Sequence, residues 1–412
     1  MQKLREEIAF LRLNLSWMVL RWLAPLFRWR SAEPSLVLVP CDPWTVIGSR
    51  GDEAMVYAVL QNFRKRHPGG RITVLTGNAT AAVSEDCRRM QRDFSLSYVH
   101  AWCPRFQIWN IVRAIRRVRA TEVFVLGADC MDGHYSPYTS TILFSVADLA
   151  CRLGLKVRLT GFSWNERPHP RAVSAAKKTT AALEILVRDP DSYDRIKSIL
   201  PRARLVADTA FCLEPQLTDR VRAVLVQMEN DHKDGNYVLG VNLNPMLKVD
   251  IAACVEALNA QSAISIYMIP HDYRDGGDLA ELAKLDPLLN VPHRLLTETY
   301  SAAELKALTS GLDAILTSRM HLGIAALGMG KPVAGFAYQG KFAGLFNLFG
   351  LPHDWLMAPS DVHRLDSVLK DVVIRTVAVT EQVGQMLPDV LGKAKDNLLC
   401  YNVKCSGSSL CT

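Results

Sequence analysis

The chain has no CxxC pair and no dense cysteine framework; its ten cysteines stand singly at 41, 87, 103, 130, 151, 212, 254, 400, 405 and 411. A secreted disulfide scaffold is thereby disfavoured, and reduced thiols in a cytoplasmic protein are expected. Glycine and proline, 24 and 20 of 412 residues, are too few and too scattered for a collagen-like or flexible low-complexity chain. A strong excess of one charge is missing as well. The net charge of +7 suits an acidic small substrate or a membrane surface and argues against nucleic acid as a partner. No cluster of His, Cys, Asp or Glu has metal-ligand spacing, and no solenoid repeat is visible. What is present is an apolar fraction of 49% beside 22% charged residues. At about 150 residues per domain, that is core enough for roughly two to three globular domains.

Residues 1–34 stand apart as a hydrophobic and basic segment. Phe10 to Phe27 is rich in Leu, Trp, Met and Val, but Arg12 and Arg21 interrupt it. Its longest uncharged stretch, Leu13 to Leu20, falls well short of the roughly 20 residues that span a bilayer. No small-residue cleavage site follows, so a cleaved signal peptide is not expected. Arg12 and Arg21 fall on opposite sides of a helix, which makes the amphipathicity imperfect, and Pro25 should end or kink it. Two readings stay open. The helix docks on the body or a partner subunit, or Trp17, Trp22 and Phe27 seat it among acidic lipids at the inner face of the plasma membrane.

From Ser35 the pattern is α/β. Strands are predicted at Leu36–Val39, Arg71–Thr76, Val123–Leu126 and Lys156–Thr160, with helices at Met55–Arg66, Arg105–Arg119, Thr141–Leu153 and Ala172–Thr180. Arginines at 105, 113, 116, 117 and 119 read as a solvated helix face. The polar stretch Glu214 to Lys233, closed by Asp234-Gly235-Asn236, reads as the inter-domain connection. A second alternation follows, with strands at Tyr237–Leu243, Ile264–Ile269, Ala314–Leu316 and Pro332–Phe336. The expectation is two doubly wound domains, 35–225 and 226–375, then a C-terminal helix and frayed tail over 376–412. In such sheets ligands gather beyond the carboxyl ends of the strands, so the loops there are the candidates.

Four loops qualify. Gly48-Ser49-Arg50-Gly51-Asp52-Glu53 opens a helix after a strand, where glycines admit a ligand and the helix N-terminus favours anions. It lacks the GxGxxG and GK[ST] spacings, and Asp52 and Glu53 read equally as capping carboxylates. Asp132, in Gly127 to His134, is either a turn former or a general base for a sugar hydroxyl. His271, in Pro270-His271-Asp272, is a loop histidine or a phosphate contact. The most specific block is Arg319-Met320-His321, then Gly330-Lys331-Pro332-Val333, then Tyr338 and Lys341. An arginine just after an apolar strand needs an anion, whether a ligand or a structural carboxylate.

Taken together, these loops resemble the polysaccharide pyruvyl transferase family over about residues 35 to 360. The likeness rests on the GDEA-type turn Gly51-Asp52-Glu53-Ala54, the turn Gly127 to Asp132 and the D-x-A-F segment Asp208-Thr209-Ala210-Phe211. It rests also on Pro270-His271-Asp272 and on the block from Arg319 to Lys341. Two departures stand out: the glycine run before Asp132 is thinned to Gly127-Ala128-Asp129, and Leu322 replaces a small hydroxyl residue after the RxH histidine.

The resemblance implies two Rossmann-like domains in a GT-B-like arrangement. It implies transfer of pyruvate from phosphoenolpyruvate to two hydroxyls of a sugar, in a polysaccharide or its lipid-linked precursor, as a cyclic ketal with loss of phosphate. In that reading His321 is the acid that protonates the methylene carbon and Asp132 the base. Arg319, Lys341, His271 and Tyr338 contact substrate, and Gly48, Arg50, Gly51 and Asp52 hold the acceptor. No metal or cofactor is expected beyond phosphoenolpyruvate as donor substrate. Two rivals remain: a GT-B-type glycosyltransferase using a nucleotide sugar, and a non-catalytic assembly partner in envelope polysaccharide synthesis.

Overall fold

A computed structural model describes residues 2–77, 84–102, 107–337 and 341–399. The strands are β1 (Ser35–Val39), β2 (Arg71–Thr76), β3 (Ser97–His100), β4 (Glu122–Val125), β5 (Lys156–Leu159), β6 (Ile185–Val187) and β7 (Ala203–Leu205). They continue with β8 (Tyr237–Asn242), β9 (Ile264–Met268), β10 (His293–Leu295), β11 (Ala314–Thr317), β12 (Val333–Phe336) and β13 (Leu356–Met357). The helices are α1 (Gln2–Leu23), α2 (Arg50–Arg66), α3 (Glu85–Phe94), α4 (Gln107–Arg117), α5 (Pro137–Arg152), α6 (Pro170–Lys178) and α7 (Pro190–Lys197). After them come α8 (Asp219–Lys233), α9 (Ile251–Asn259), α10 (Asp278–Leu285), α11 (Ala302–Leu308), α12 (Met320–Gly328), α13 (Lys341–Phe349) and α14 (Leu365–Asp396).

Two parallel sheets result, in the orders β3-β2-β1-β4-β5 and β10-β9-β8-β11-β12-β13. Their central strands, such as β1 (SLVLV) and β11 (AILT), are buried along their whole length, as strands covered by helices on both faces must be. Each order reverses direction once, between β1 and β4 in the first sheet and between β8 and β11 in the second. Those are the switch points at which α/β sheets open a crevice. The fold is therefore two Rossmann-like domains, as the alternation of strands and helices predicts.

The division of the chain differs in two places. The polar stretch expected as a connection contains α8, whose Val221, Val224 and Met228 recur at helical spacing and are buried. Its many charges mask that apolar face in the sequence. At the other end, α14 runs unbroken through residue 375, where a boundary was expected. Just beyond this helix Asn397 returns to the first domain, accepting from Gly161 N and donating to Ala207 O, both at 2.6 Å.

The N-terminal segment is one helix, ended at Pro25 by a short 3-10 turn. Leu13, Trp17, Leu20 and Ala24 are buried against the first domain, and Trp17 Nε1 donates to Asp148 Oδ2 at 2.9 Å. Among the described residues no helix is long and apolar enough to cross a membrane.

Candidate functional site

A cavity opens where the two switch points face each other. It is bordered by Ser49 and Asp129 from the first domain, and by Asn244, His271, Ser318, Arg319 and His321 from the second. All of them follow the carboxyl ends of strands: β1, β4, β8, β9 and β11.

His321 lies in the first turn of α12 and meets the first domain twice. Its ring rests on Gly51, where a Cβ would come within 2.3 Å of Nδ1. Glycine is needed here for space, not for an unusual backbone angle. The other ring nitrogen, Nε2, is 3.6 Å from Asp208 Oδ2, an ion-pair distance. Asp208 is buried, accepts from Arg188 Nη1 at 2.7 Å and caps its own turn through Ala210 N at 2.8 Å. Arg188 is itself oriented by Ser163 Oγ, to which Nε donates at 2.8 Å. Burial pushes the Asp208 carboxyl up, but His321 and Arg188 outweigh it and hold it well below the usual carboxylate range. An ionised carboxylate thus faces the imidazole across the domain boundary.

The two neighbours of His321 behave otherwise. Arg319 borders the cavity, but its guanidinium is gripped by Asp278, with Nη2 to Oδ1 at 2.6 Å and Nε to Oδ1 at 3.0 Å, and touches Asp272 at 3.2 Å. The anion this arginine requires is supplied by the protein. Arg319 is thus an oriented cation at the cavity rim, its Nε and Nη2 engaged by carboxylates while the residue still borders the cavity. His271 is buried, and its Nδ1 has no hydrogen-bond partner. Burial first, then the charges of Arg319, His321 and Arg50, push its pKa well below that of an ordinary histidine, so the ring is neutral.

Asp132 does not reach the cavity. It is fully buried, and its carboxylate accepts from His134 N at 2.8 Å, Asn165 N at 3.2 Å and Asn165 Nδ2 at 2.5 Å. The turn-forming reading holds, and the expected base is corrected. The carboxylate that faces the cavity from this loop is Asp129. Ala128, just before it, has φ +46°, a left-handed conformation that costs an alanine energy and redirects the chain at the end of β4. Nothing in the sequence distinguishes an alanine in that conformation, so the signal was missing.

The α2 loop is also more structural than its glycines suggested. Ser49 is the N-cap, accepting from Asp52 N at 3.3 Å, and acidic residues occupy the first turn. Arg50 is held between Glu53 (2.7 Å) and Asp86 (2.9 Å) with its guanidinium over Tyr273, and borders a larger groove beside the cavity. Asp52 accepts from Ser49 Oγ at 3.0 Å and from Cys41 Sγ at 3.3 Å. Burial raises its pKa and Asp129 adds to the effect, against the opposing pull of His321. Tyr338 and the side chain of Lys341 lie outside the described residues.

Beside the cavity of about 140 Å³ runs a groove of about 750 Å³, sharing Ser49 and His271 with it. Gly48 and Trp44 border this groove, the tryptophan 47% exposed.

A family model described as polysaccharide pyruvyl transferase matches residues 50–340. No curated protein matches the chain at the sequence level. Among solved structures it is similar to UDP-GlcNAc 2-epimerase from Neisseria meningitidis bound to UDP-GlcNAc. That likeness has 12% identity and a TM-score of 0.52, and covers 88% of this chain and 97% of that one. It is similar also to Anabaena HepE in complex with UDP-glucose, at 10% identity and TM-score 0.55, covering 88% and 97%. The N-terminal domain of Candida albicans trehalose-6-phosphate phosphatase matches at 10% identity and TM-score 0.53, covering 90% and 97%. At such identities the likeness establishes the GT-B-like fold.

Proposed function

The chain belongs to the polysaccharide pyruvyl transferase family, and from that premise we propose that it moves pyruvate from phosphoenolpyruvate to two hydroxyls of a sugar, forming a cyclic ketal. The observation that carries the reading is His321, seated on Gly51 and backed by the ionised Asp208 at the rim of a small cavity. Protonation of the methylene carbon by His321 creates a cationic centre at C2. One sugar hydroxyl adds there, phosphate leaves, and a second hydroxyl closes the ring. Of the two hydroxyl protons released, one restores the acid and the other is carried away with phosphate.

Asp129 is the carboxylate placed to accept a hydroxyl proton, with Asp52 close behind it. The donor's negative charges have the N-terminal amides of α12 and the rim of Arg319 to meet. The small cavity suits a three-carbon donor. The larger groove suits a sugar or a lipid-linked oligosaccharide, whose ring can lie on the apolar face of Trp44.

The test is incubation with phosphoenolpyruvate and a panel of free and lipid-linked sugars, following phosphate and the mass of the acceptor. Phosphate release with a gain of the pyruvyl group is expected. Release of a nucleoside diphosphate from a nucleotide sugar, with phosphoenolpyruvate inert, would replace this reading by a glycosyltransferase.

A further inference from the structure

The docked face of α1 is half of that helix's apolar surface. On the opposite side Leu4, Ile8, Leu11, Leu15, Met18 and Trp22 recur every three to four residues and are 41% to 85% exposed. Two apolar faces back to back explain why the arginines break any single amphipathic pattern: they occupy the seams between the faces. The outer stripe is continuous, and none of the described residues covers it.

We infer that this outer face rests on a bilayer surface carrying anionic lipid, with the helix lying flat and the first domain held above it. The charges around the stripe select that occupant. From Ile8 to Arg30 every charged residue is an arginine. The exposed Arg113, Arg116, Arg117 and Arg119 of α4 and the turn after it extend the basic field, and the Arg116 guanidinium sits 4.9 Å over the ring of Phe27. Along the other seam, a groove of about 260 Å³ between α1 and α6 sets Lys178 beside Leu11, together with Arg171, which pairs with Glu7 of α1. Apolar side chains between cations are what an interface of acyl chains and acidic headgroups takes up. A second copy of this chain would press the same arginine-rich rim against itself, which like-charge repulsion opposes. The inner face, pinned through Trp17 to Asp148, keeps the helix from turning to span.

This inference is independent of the reaction proposed above, and its test needs no substrate. The full chain is sedimented with vesicles of phosphatidylcholine alone and of phosphatidylcholine with phosphatidylglycerol. The variant L11Q/L15Q/W22Q changes only exposed positions, and its melting curve should match that of the native chain. Binding to the anionic vesicles, weakened by salt and reduced at least about tenfold in the variant, is expected. Equal binding to both vesicle types, or undiminished binding by the variant, would overturn the proposal. So would a native dimer that the variant turns into monomers without any vesicle binding, since a second copy would then own the face.

Discussion

The two walls of the cavity are built from opposite chemistry. The first domain borders it with Ser49 and the Asp129 carboxylate, and meets the ring of His321 through Gly51 and Asp208. From the second come the imidazoles of His271 and His321 and the guanidinium of Arg319. Two arginines at and near the cavity are already paired within their own domains: Arg319 with Asp278 and Asp272, Arg50 with Glu53 and Asp86. The contact left for chemistry crosses the cleft, where His321 of one domain meets Asp208 and Gly51 of the other. The His321–Asp208 pair therefore exists only when the domains are apposed.

The sharpest way to break that cross-cleft pairing is at His321. His321→Gln should lower turnover by roughly two to four orders of magnitude, as for loss of a positioned acid, with phosphoenolpyruvate affinity little changed. Gly51→Ala should produce much of the same loss from the opposite wall, because a Cβ 2.3 Å from Nδ1 must displace the ring. Its stability should fall only modestly, by about 1–3 kcal/mol, because the clash is met by one side chain at the domain contact. Turnover and donor binding for both variants, beside thermal melts, check this. A fully active Gly51→Ala enzyme would mean that the imidazole works from another position.

A second contrast lies within one loop of the first wall. Asp129→Asn should cost turnover, by about a hundredfold or more, and leave stability alone. Asp132→Ala should do the reverse. Removing the acceptor of three hydrogen bonds in the interior costs about 2–3 kcal/mol of stability, with turnover near normal where the protein remains folded. Denaturant titration and steady-state rates separate the two. An exchange of phenotypes would return Asp132 to the chemistry.

Much of this was legible beforehand. The alternation of apolar strands and helices gave both sheets, because strands covered on both faces are read from composition alone. The strand at Arg71–Thr76 fell on its boundaries. The loops holding the site were legible too, since topology places them. The partners of each side chain were not. Whether Arg319 meets a ligand or Asp278 depends on a residue 41 positions away, and the choice between Asp129 and Asp132 turns on one backbone angle at Ala128. Asp208 stood in a recognised segment, yet its tie to His321 links different domains across more than a hundred residues.

The smallest effect separates the two histidines of the second wall. His271 is held neutral by burial and by neighbouring positive charge, whereas its unfolded counterpart titrates near pH 6.5. Between that value and its depressed native pKa the unfolded chain binds the extra proton, so stability falls as pH falls below about 6.5. The slope from this single group is at most about 1.4 kcal/mol per pH unit. His271→Asn removes the titration, and its unfolding free energy should therefore decline less than that of the native chain between pH 7.5 and 5. Chemical denaturation across that range measures the difference. Parallel curves would show that His271 takes up a proton in the folded state, which would require Asp272 or water to reach the Nδ1 that is now without a partner.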